Sequence, residues 1–200
     1  MIILLIIFSF SILLAPEREL KLNWHSSQKR DYFNEWWSFQ SGIEGTYSYH
    51  PKDNGGETMR GITLATYRNC TGKSRQDFLR MKPIEAQRIA FAYFWLPYAK
   101  FKDGKLNILI VSSFWGGGGI EMVKAMQILL RIEPDGIIGE QTILAANEAG
   151  PDLFHKLLRC RVNYLRGCWN YQTFKNGWQK SIDFLIESWV KRIDFHINGL

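Results

Sequence analysis

Cysteine and histidine are scarce in this chain. Its 200 residues include three cysteines, Cys70, Cys160 and Cys168, and four histidines. An odd number of cysteines gives no paired disulfide framework. Cys160 and Cys168 fall on one predicted helix about 12 Å apart, which is too far for a disulfide bond. The histidines are dispersed without the spacing of metal ligands. The sequence therefore predicts no metal site, and the cysteines are expected to fill the core.

The chain also lacks a cluster of Lys and Arg, although its formal net charge is +6. That charge is compatible with long-range attraction to an anionic surface such as a cell envelope, and equally with a surface charge that has no specific partner. Without a recognition motif, nucleic acid is not the predicted partner, and a nucleic-acid-binding helical protein is an alternative that rests on charge alone. The run FWGGGG at residues 114–119 lacks the Lys-Ser/Thr pair of a phosphate-binding loop. It indicates a flexible joint or a tight helix crossing, and no cofactor is implied.

Long apolar runs are absent after the first 16 residues. Within those, residues 2–14 are almost wholly apolar and uncharged. The run is shorter than the ~20 residues of a comfortable membrane span and closer to the apolar region of a signal peptide. It is interpreted as an export signal, a retained anchor or a buried core helix. The first two interpretations predict transient membrane contact through residues 2–14 and an exported protein in the periplasm, envelope or exterior.

The rest of the chain has the composition of a packed, mainly helical protein. Of all residues, 46% are hydrophobic and 14% aromatic, with eight tryptophans. A helix that Asp31 caps and Glu44-Gly45 ends is predicted, with a core-facing side of residues at helical spacing, namely Phe33, Trp36, Trp37, Gln40 and Ile43. The stretch 45–63 predicts a short hairpin or an irregular loop. Further helices are predicted from the capping box at Ser74, from Pro83 to a stop at Pro97, and at about 106–115, 120–130, 139–148, 152–169 and 177–193.

Three acids, Glu44, Asp53 and Glu57, lie among glycines and turn residues in this early stretch. Glu44 is at the C-terminal end of its predicted helix, where the helix dipole disfavours a charged carboxylate. Bulky aromatic neighbours would desolvate it further. Both effects favour the protonated form that a general acid needs. With Asp53 and the hydroxyl of Thr58 in the facing loop, the stretch holds the groups required for glycoside hydrolysis. The alternative is that these acids are ordinary polar loop residues.

The segment IEGTYSYHPKDNGGETMRGIT resembles the signature of glycoside hydrolase family 108, the lysozyme-like muramidases of bacteria and phages. Some members of that family carry a secretion-activator label. The resemblance extends over about residues 31–185, through AYFWLPYA, the glycine run and FKNGWQKSID. Thr46, Tyr49 and Ser112 depart from the family pattern, which generally has Asp at the last of these positions. Residues that match the signature are Glu44, Gly45, Tyr47, Pro51, Asp53, Gly55, Gly56, Glu57, Thr58, Gly61 and Ile62.

The resemblance implies an α+β lysozyme-like fold in two lobes. Residues 22–115 form the expected catalytic lobe. Residues 119–193 form a helical lobe that is similar to peptidoglycan-binding modules, because DGIIGEQT at 135–142 resembles their D-G-x-x-G-x-x-T signature. The implied partner is the glycan strand of peptidoglycan.

The same resemblance implies roles for individual residues. Glu44 is the expected proton donor for cleavage of β-1,4 bonds, Asp53 positions a water molecule, and Thr58 assists. Tyr47, Tyr49 and Trp115 are candidate sugar-binding residues, and Trp95 is expected in the core. The rival function is that of a non-catalytic cell-wall-binding or secretion-assisting protein with the same fold.

Overall fold

Helices make up most of the described chain, and a small antiparallel sheet separates the first helix from the second. The computed structural model describes residues 27–43, 45–49 and 56–198, with side chains from 30 to 188 within those ranges. The predicted fold class, mainly α with an α+β lysozyme-like arrangement, is confirmed. In chain order the elements are α1 (Ser27–Ile43), β1 (Tyr47–Ser48), β2 (Thr58–Met59), β3 (Ile62–Thr63), α2 (Leu64–Thr71), α3 (Arg75–Leu79), α4 (Pro83–Ala90), a π-helical turn (Phe91–Trp95), α5 (Leu96–Tyr98), α6 (Gly104–Trp115), α7 (Gly119–Leu129), α8 (Glu140–Glu148), α9 (Asp152–Gly167) and α10 (Tyr171–Asn198).

The first helix begins earlier than the sequence predicts. Asp31 was expected to cap it, but α1 already starts at Ser27, so that prediction is wrong. The residues before Asp31 include Gln, Lys and Arg, which have good helix propensity and allow the helix to extend. The predicted end is close to the observed one at Ile43. The predicted apolar face is buried at Phe33, Trp36 and Gln40, which are 3%, 0% and 4% exposed, and partly buried at Trp37. At the end of the helix the prediction is wrong, since Ile43 is 37% exposed.

The helix that starts at Pro83 passes through a π-helical turn before it ends. Proline was expected to stop it at Pro97, and the helical path ends one residue later, at Tyr98. Proline lacks an N–H and its ring collides with the carbonyl four residues earlier. A π turn widens the backbone just before that point, which explains how Pro97 is accommodated within helical structure. Trp95, at the end of the π turn, is 3% exposed, so its predicted core position is confirmed.

Buried side chains form two clusters, and two indoles pack against both. The larger cluster surrounds α6, whose residues 104–113 are all buried. The smaller one joins the sheet to α2–α4. Trp37 and Trp115 are partly buried and contact both clusters, so they mark the boundary between them. The smaller cluster comprises Met59, Ile62, Tyr67, Phe78, Met81, Ala86 and Ile89.

The last helix, α10, is hydrogen-bonded directly to the first helix, α1. Lys105 on α6, whose side chain is 10% exposed, places its Nζ 2.6 and 2.7 Å from the two carboxylate oxygens of Glu35 on α1. The Ser188 hydroxyl on α10 donates to the same carboxylate at 2.9 Å. Nearby, the rings of Phe39 and Phe184 stack with centroids 4.0 Å apart. Helix α10 therefore supports the helix that leads into the candidate site.

The connection between α7 and α8 is organised around one buried amide. Gln127 is 1% exposed. Its Nε2 donates to Asp135 Oδ1 at 2.6 Å, to the Ile137 carbonyl at 3.0 Å and to the Thr142 hydroxyl at 3.1 Å. Its Oε1 accepts from the backbone N–H of Gly136 at 2.8 Å. The Asp and Thr of the D-G-x-x-G-x-x-T stretch are thus used inside the connector itself.

The glycine run between α6 and α7 is a close helix crossing. Gly118 has φ of +86°, and a Cβ there would lie 2.3 Å from the ring of Tyr164. A Cβ at Gly119 would lie 2.4 Å from the ring of Phe114. The sequence allowed a flexible joint or a tight helix crossing here. The second is observed, because aromatic side chains pack directly onto the Cα atoms of these glycines.

A buried arginine holds the same run from α9. Arg161 is 3% exposed, and its guanidinium donates to the carbonyl of Gly117. Burial lowers the pKa of Arg161 to about 10, which still leaves the group charged at neutral pH. The cation lies 5.7 Å from the ring centre of Tyr164. The charge is therefore stabilised by a carbonyl and an aromatic face at the point where α9 meets the glycine run.

The three cysteines are free and only partly buried. Cys70 and Cys160 pack against the buried clusters but are themselves only partly buried, so the prediction that they fill the core is wrong. Burial raises the pKa of the Cys70 thiol to about 11, which keeps it protonated. Cys168 follows the last residue of α9, so it does not share a helix with Cys160 as predicted.

Within the described residues, none of the helices is both long enough and apolar enough to cross a lipid bilayer. Residues 2–14, which the sequence predicts to be an export signal or an anchor, lie outside the described residues. The division into lobes at residues 22–115 and 119–193 stays a prediction.

Candidate active site

A three-stranded antiparallel sheet follows α1 and carries the described part of the acidic motif. Strands β2 and β3 are joined by Arg60 and Gly61, with φ of 51° and 78°. Two consecutive positive φ angles are typical of the type I′ turn that matches the twist of a hairpin. Thr58 on β2 pairs with Ser48 on β1 and Thr63 on β3. The predicted hairpin is therefore confirmed, with β1 added as a third strand.

Glu57 connects this sheet to α3. Its carboxylate accepts two hydrogen bonds from Arg75 Nε, at 2.9 and 3.0 Å, and one from the Tyr47 hydroxyl at 3.2 Å. A second guanidinium nitrogen of Arg75 lies 2.9 Å from Glu57 Oε2. Paired contacts of this kind fix orientation as well as distance. Glu57 therefore holds Tyr47 and the start of β2 in place, and its own carboxylate is engaged.

Replacing Arg75 with glutamine is expected to lower the melting temperature near neutral pH and much less in acid. Arg75 holds the pKa of Glu57 below its ordinary value of 4.5, mainly through the hydrogen bond and then through its charge. A lowered pKa means that the stabilisation is present above the unfolded-state pKa and is lost as the pH falls through the folded-state value. Melting curves of both proteins across the acid range should converge as Glu57 becomes protonated. Arg88→Gln, at an exposed position of α4, is the control. A difference that stays constant with pH would contradict the ionic link.

The boundary between the two cores lies at Trp37 on α1 and Trp115 on α6. There the Trp115 ring meets three aromatic rings at steep angles, with centroid distances of 5.4 Å to Trp36, 6.1 Å to Trp37 and 4.8 Å to Phe94. Edge-to-face pairs of this kind are favourable and directional. Trp115, a candidate sugar-binding residue, is therefore a partly buried ring in a rigid aromatic cluster.

Ser112, where the family pattern generally has Asp, is used inside this cluster. It is 4% exposed, and its hydroxyl accepts a hydrogen bond from the Trp36 indole N–H at 3.1 Å. Trp36 itself is fully buried, so its N–H needs an internal acceptor. Serine supplies that acceptor without placing a charge in the core. The departure at this position therefore has a packing role in this chain.

Gln40 lies one helical turn before position 44. It is 4% exposed, and within the described part of the chain its Oε1 has no hydrogen-bond partner. Buried polar atoms are almost always paired. The end of α1 thus presents a buried acceptor on the face that the sequence placed in the core.

The structure places four of the six predicted site residues. Tyr47 on β1 is 44% exposed and Tyr49, just after it, is 66% exposed. Thr58 is part of the central strand of the sheet, and Trp115 ends α6. Tyr47 and Thr58 are on neighbouring strands, where Tyr47 faces Met59 and Thr58 faces Ser48. The two predicted acids, Glu44 and Asp53, lie outside the described residues, and their roles stay predictions.

Sequence reasoning missed the ion pair that Glu57 makes with Arg75 and the buried amide of Gln40. Glu57 was counted among the acids of the motif, but its partner Arg75 is 18 residues away and no local spacing indicates the pair. Gln40 was placed on the apolar face of α1 without a reason for an amide there. A polar residue inside an otherwise apolar helical stripe is the signal that could have drawn attention to it.

Comparisons with known proteins agree with this arrangement. Residues 39–105 match the family model described as Glycosyl hydrolase 108. The solved structure of Brucella abortus SagA is 26% identical to this chain, with a TM-score of 0.67, and the match covers 78% of this chain and 92% of that one. No curated protein matches this chain. The matched segment contains the end of α1, the whole sheet and α2–α5. The resemblance to glycoside hydrolase family 108 is thus confirmed on residues 39–105, the segment to which the candidate acids belong.

Proposed function

We propose that this chain is a peptidoglycan hydrolase that cleaves the β-1,4-glycosidic bonds of the cell wall, as an N-acetylmuramidase does. One observation carries the proposal. The dense motif at residues 44–62 lies wholly within the segment that matches a glycosyl hydrolase family. The described part of that motif folds as a sheet directly after α1, with Tyr47, Glu57 and Arg75 joined by hydrogen bonds.

The proposed reaction uses two carboxyl groups. Glu44, in its protonated form, donates its proton to the glycosidic oxygen as the bond from that oxygen to the anomeric carbon breaks. Asp53 orients a water molecule, which adds to the anomeric carbon and gives its proton to the Asp53 carboxylate, so that a hemiacetal and an alcohol are formed. Thr58, fixed in the central strand, assists Asp53. The carboxylate of Glu57 accepts bonds from Arg75 and Tyr47, so it serves as a positioning residue for the sheet.

The surroundings suit this chemistry. Trp37 and Trp115 form an aromatic wall at the boundary of the two cores. Exposed Tyr47 and Tyr49 offer flat rings on the solvent side, where they would cover apolar faces of sugar rings. A substrate in the cell wall also requires export, which we propose for the segment 1–16.

Purified cell walls give the direct test. The chain should lower the turbidity of a wall suspension and create new reducing ends, and those ends should belong to muramic acid after borohydride reduction of the products. Reducing ends on N-acetylglucosamine would replace the muramidase assignment with a glucosaminidase. Binding to walls without any new reducing end would overturn the enzymatic proposal in favour of a non-catalytic wall-binding protein.

A further inference from the structure

A concave surface is lined in part by Phe94, whose ring contacts Trp115 of the candidate active site. It is a hollow of about 230 Å³ between α2, the π-helical turn and the ends of α5 and α6. Aromatic rings and two polar side chains line most of it. Its volume is below the roughly 300–1,000 Å³ of clefts that take drug-sized ligands, so it suits a ligand about the size of one sugar ring. The lining residues that matter here are Thr66, Asn69, Tyr93, Phe94, Tyr98 and Phe114.

The aromatic wall of the hollow is rigid. The rings of Tyr98 and Phe114 are stacked with centroids 3.6 Å apart and planes 3° apart. Phe114 in turn packs onto the bare Cα of Gly119, where a Cβ would lie 2.4 Å away. Phe114 therefore lies between Gly119 and Tyr98. This packing prevents the Tyr98 ring from moving away when a ligand binds. Rings that are already fixed in place lose little conformational entropy when a ligand binds, which favours affinity.

The opposite side of the hollow is polar. Asn69 is exposed on α2 and carries both a donor and an acceptor. Thr66 Oγ1 accepts the hydroxyl proton of Thr63 at 2.9 Å, so its own proton remains for another acceptor. Tyr93 donates to the Cys70 carbonyl at 3.3 Å, which fixes its ring at the rim. An aromatic face opposite amide and hydroxyl groups matches a sugar that has one apolar face and polar edges.

Two chains of contacts connect the hollow to the candidate active site. Thr58 pairs with Thr63 across the sheet, and Thr63 hydrogen-bonds Thr66 in the hollow. Through the aromatic residues, Trp115 contacts Phe94 at 4.8 Å, and Phe94 lines the hollow. The hollow is therefore connected to Thr58 and Trp115, two described residues of the candidate active site.

We infer that this hollow is a binding subsite for one N-acetylated hexosamine of the glycan strand, next to the bond that is cleaved. The inference rests on the proposed function. The Tyr98 ring covers the apolar face of the sugar, while Asn69 and Thr66 bond its acetamido and hydroxyl groups. Tyr98, Asn69 and Thr66 are then binding residues that set how the strand is seated.

The test measures binding apart from cleavage. A soluble β-1,4 oligosaccharide of N-acetylglucosamine is titrated into the full chain carrying Glu44→Gln, with NMR detection of the Tyr98 ring. Adding Asn69→Ala or Tyr98→Leu should weaken binding roughly tenfold, the loss expected for one well-made contact. Asn69→Ala is at an exposed helical position, so it tests the inference even if Tyr98→Leu disturbs packing. The matched controls are Asn163→Ala on α9 and Trp169→Leu, both at exposed positions.

The outcomes separate this inference from the proposed function. Movement of the Tyr98 signals together with weaker binding in the Asn69→Ala protein supports the subsite. Unchanged affinity in both variants with no Tyr98 response overturns it, even if wall cleavage is normal. Conversely, if the chain with Glu44 intact fails to cleave walls while the titration still reports Tyr98 and Asn69, the subsite stands and the proposed reaction fails.

Discussion

Replacing Glu44 with glutamine is expected to reduce the rate of wall cleavage by about 10²–10⁴-fold or more. Glutamine keeps the shape of the side chain but cannot donate a proton to the leaving oxygen. Because only the proton donor is lost, folding and wall binding should be nearly unchanged. The measurement is the initial rate of reducing-end formation on purified walls, together with the melting temperature and a wall pull-down.

The matched control for that experiment is Glu148→Gln, at an exposed position near the end of α8. It makes the same chemical change away from the motif and should leave the rate intact. If the Glu44→Gln protein cleaved walls at the full rate, the general-acid assignment would be wrong. If both variants lost activity together, the loss would reflect general damage to the fold.

Gln127→Leu is expected to reduce the free energy of unfolding by about 1–3 kcal/mol. Leucine has nearly the same volume, so the change removes hydrogen bonds rather than packing. It leaves the backbone N–H of Gly136 without its acceptor and removes one hydrogen bond each from the Ile137 carbonyl and the Thr142 hydroxyl, which still bond each other at 3.2 Å. Each buried group that loses its partner costs about 1–3 kcal/mol. Chemical denaturation measures the loss.

Turnover on a short soluble muropeptide should be largely unchanged by Gln127→Leu, since the proposed chemistry belongs to residues 44–58. Gln141→Leu, at an exposed position of α8, is the matched control for added apolar surface. Asp135→Ala should act in the same direction through the same network. If Gln127→Leu abolished turnover on the short substrate while stability and wall binding were unaffected, this connector would carry catalytic groups, and the proposed division of roles would be wrong.

Local rules were enough to predict most helices and several of their ends. The capping box at Ser74 and Asp77 is present as predicted, because its reciprocal bonds involve residues three apart. Pro83 starts α4 for an equally local reason. The prediction that Asp31 caps α1 was wrong because Asp is also tolerated inside a helix when good helix formers precede it. The ends of helices were therefore predictable where a short-range bond decided them.

The candidate site could be predicted as a list of residues but not as an arrangement. Spacing and family resemblance indicated Tyr47, Thr58 and Trp115, and the structure assigns them to the sheet and to the end of α6. The bond from Arg75 to Glu57 and the bond from Trp36 to Ser112 join residues 18 and 76 positions apart. Such pairs depend on how helices pack, and no periodicity in the chain specifies them.

The glycine run at 116–119 has a consequence for how this chain tolerates variation over evolution. Its composition suggests a linker that could drift freely, yet Tyr164 and Phe114 occupy the space that side chains would need. Any side chain at Gly119 would push Phe114 against Tyr98 and so deform the hollow from behind. Natural variants should therefore change the exposed glycines near the motif, such as Gly42, more readily than Gly118 or Gly119. If the hollow binds glycan, Gly119 should then be invariant although it does not contact the glycan itself.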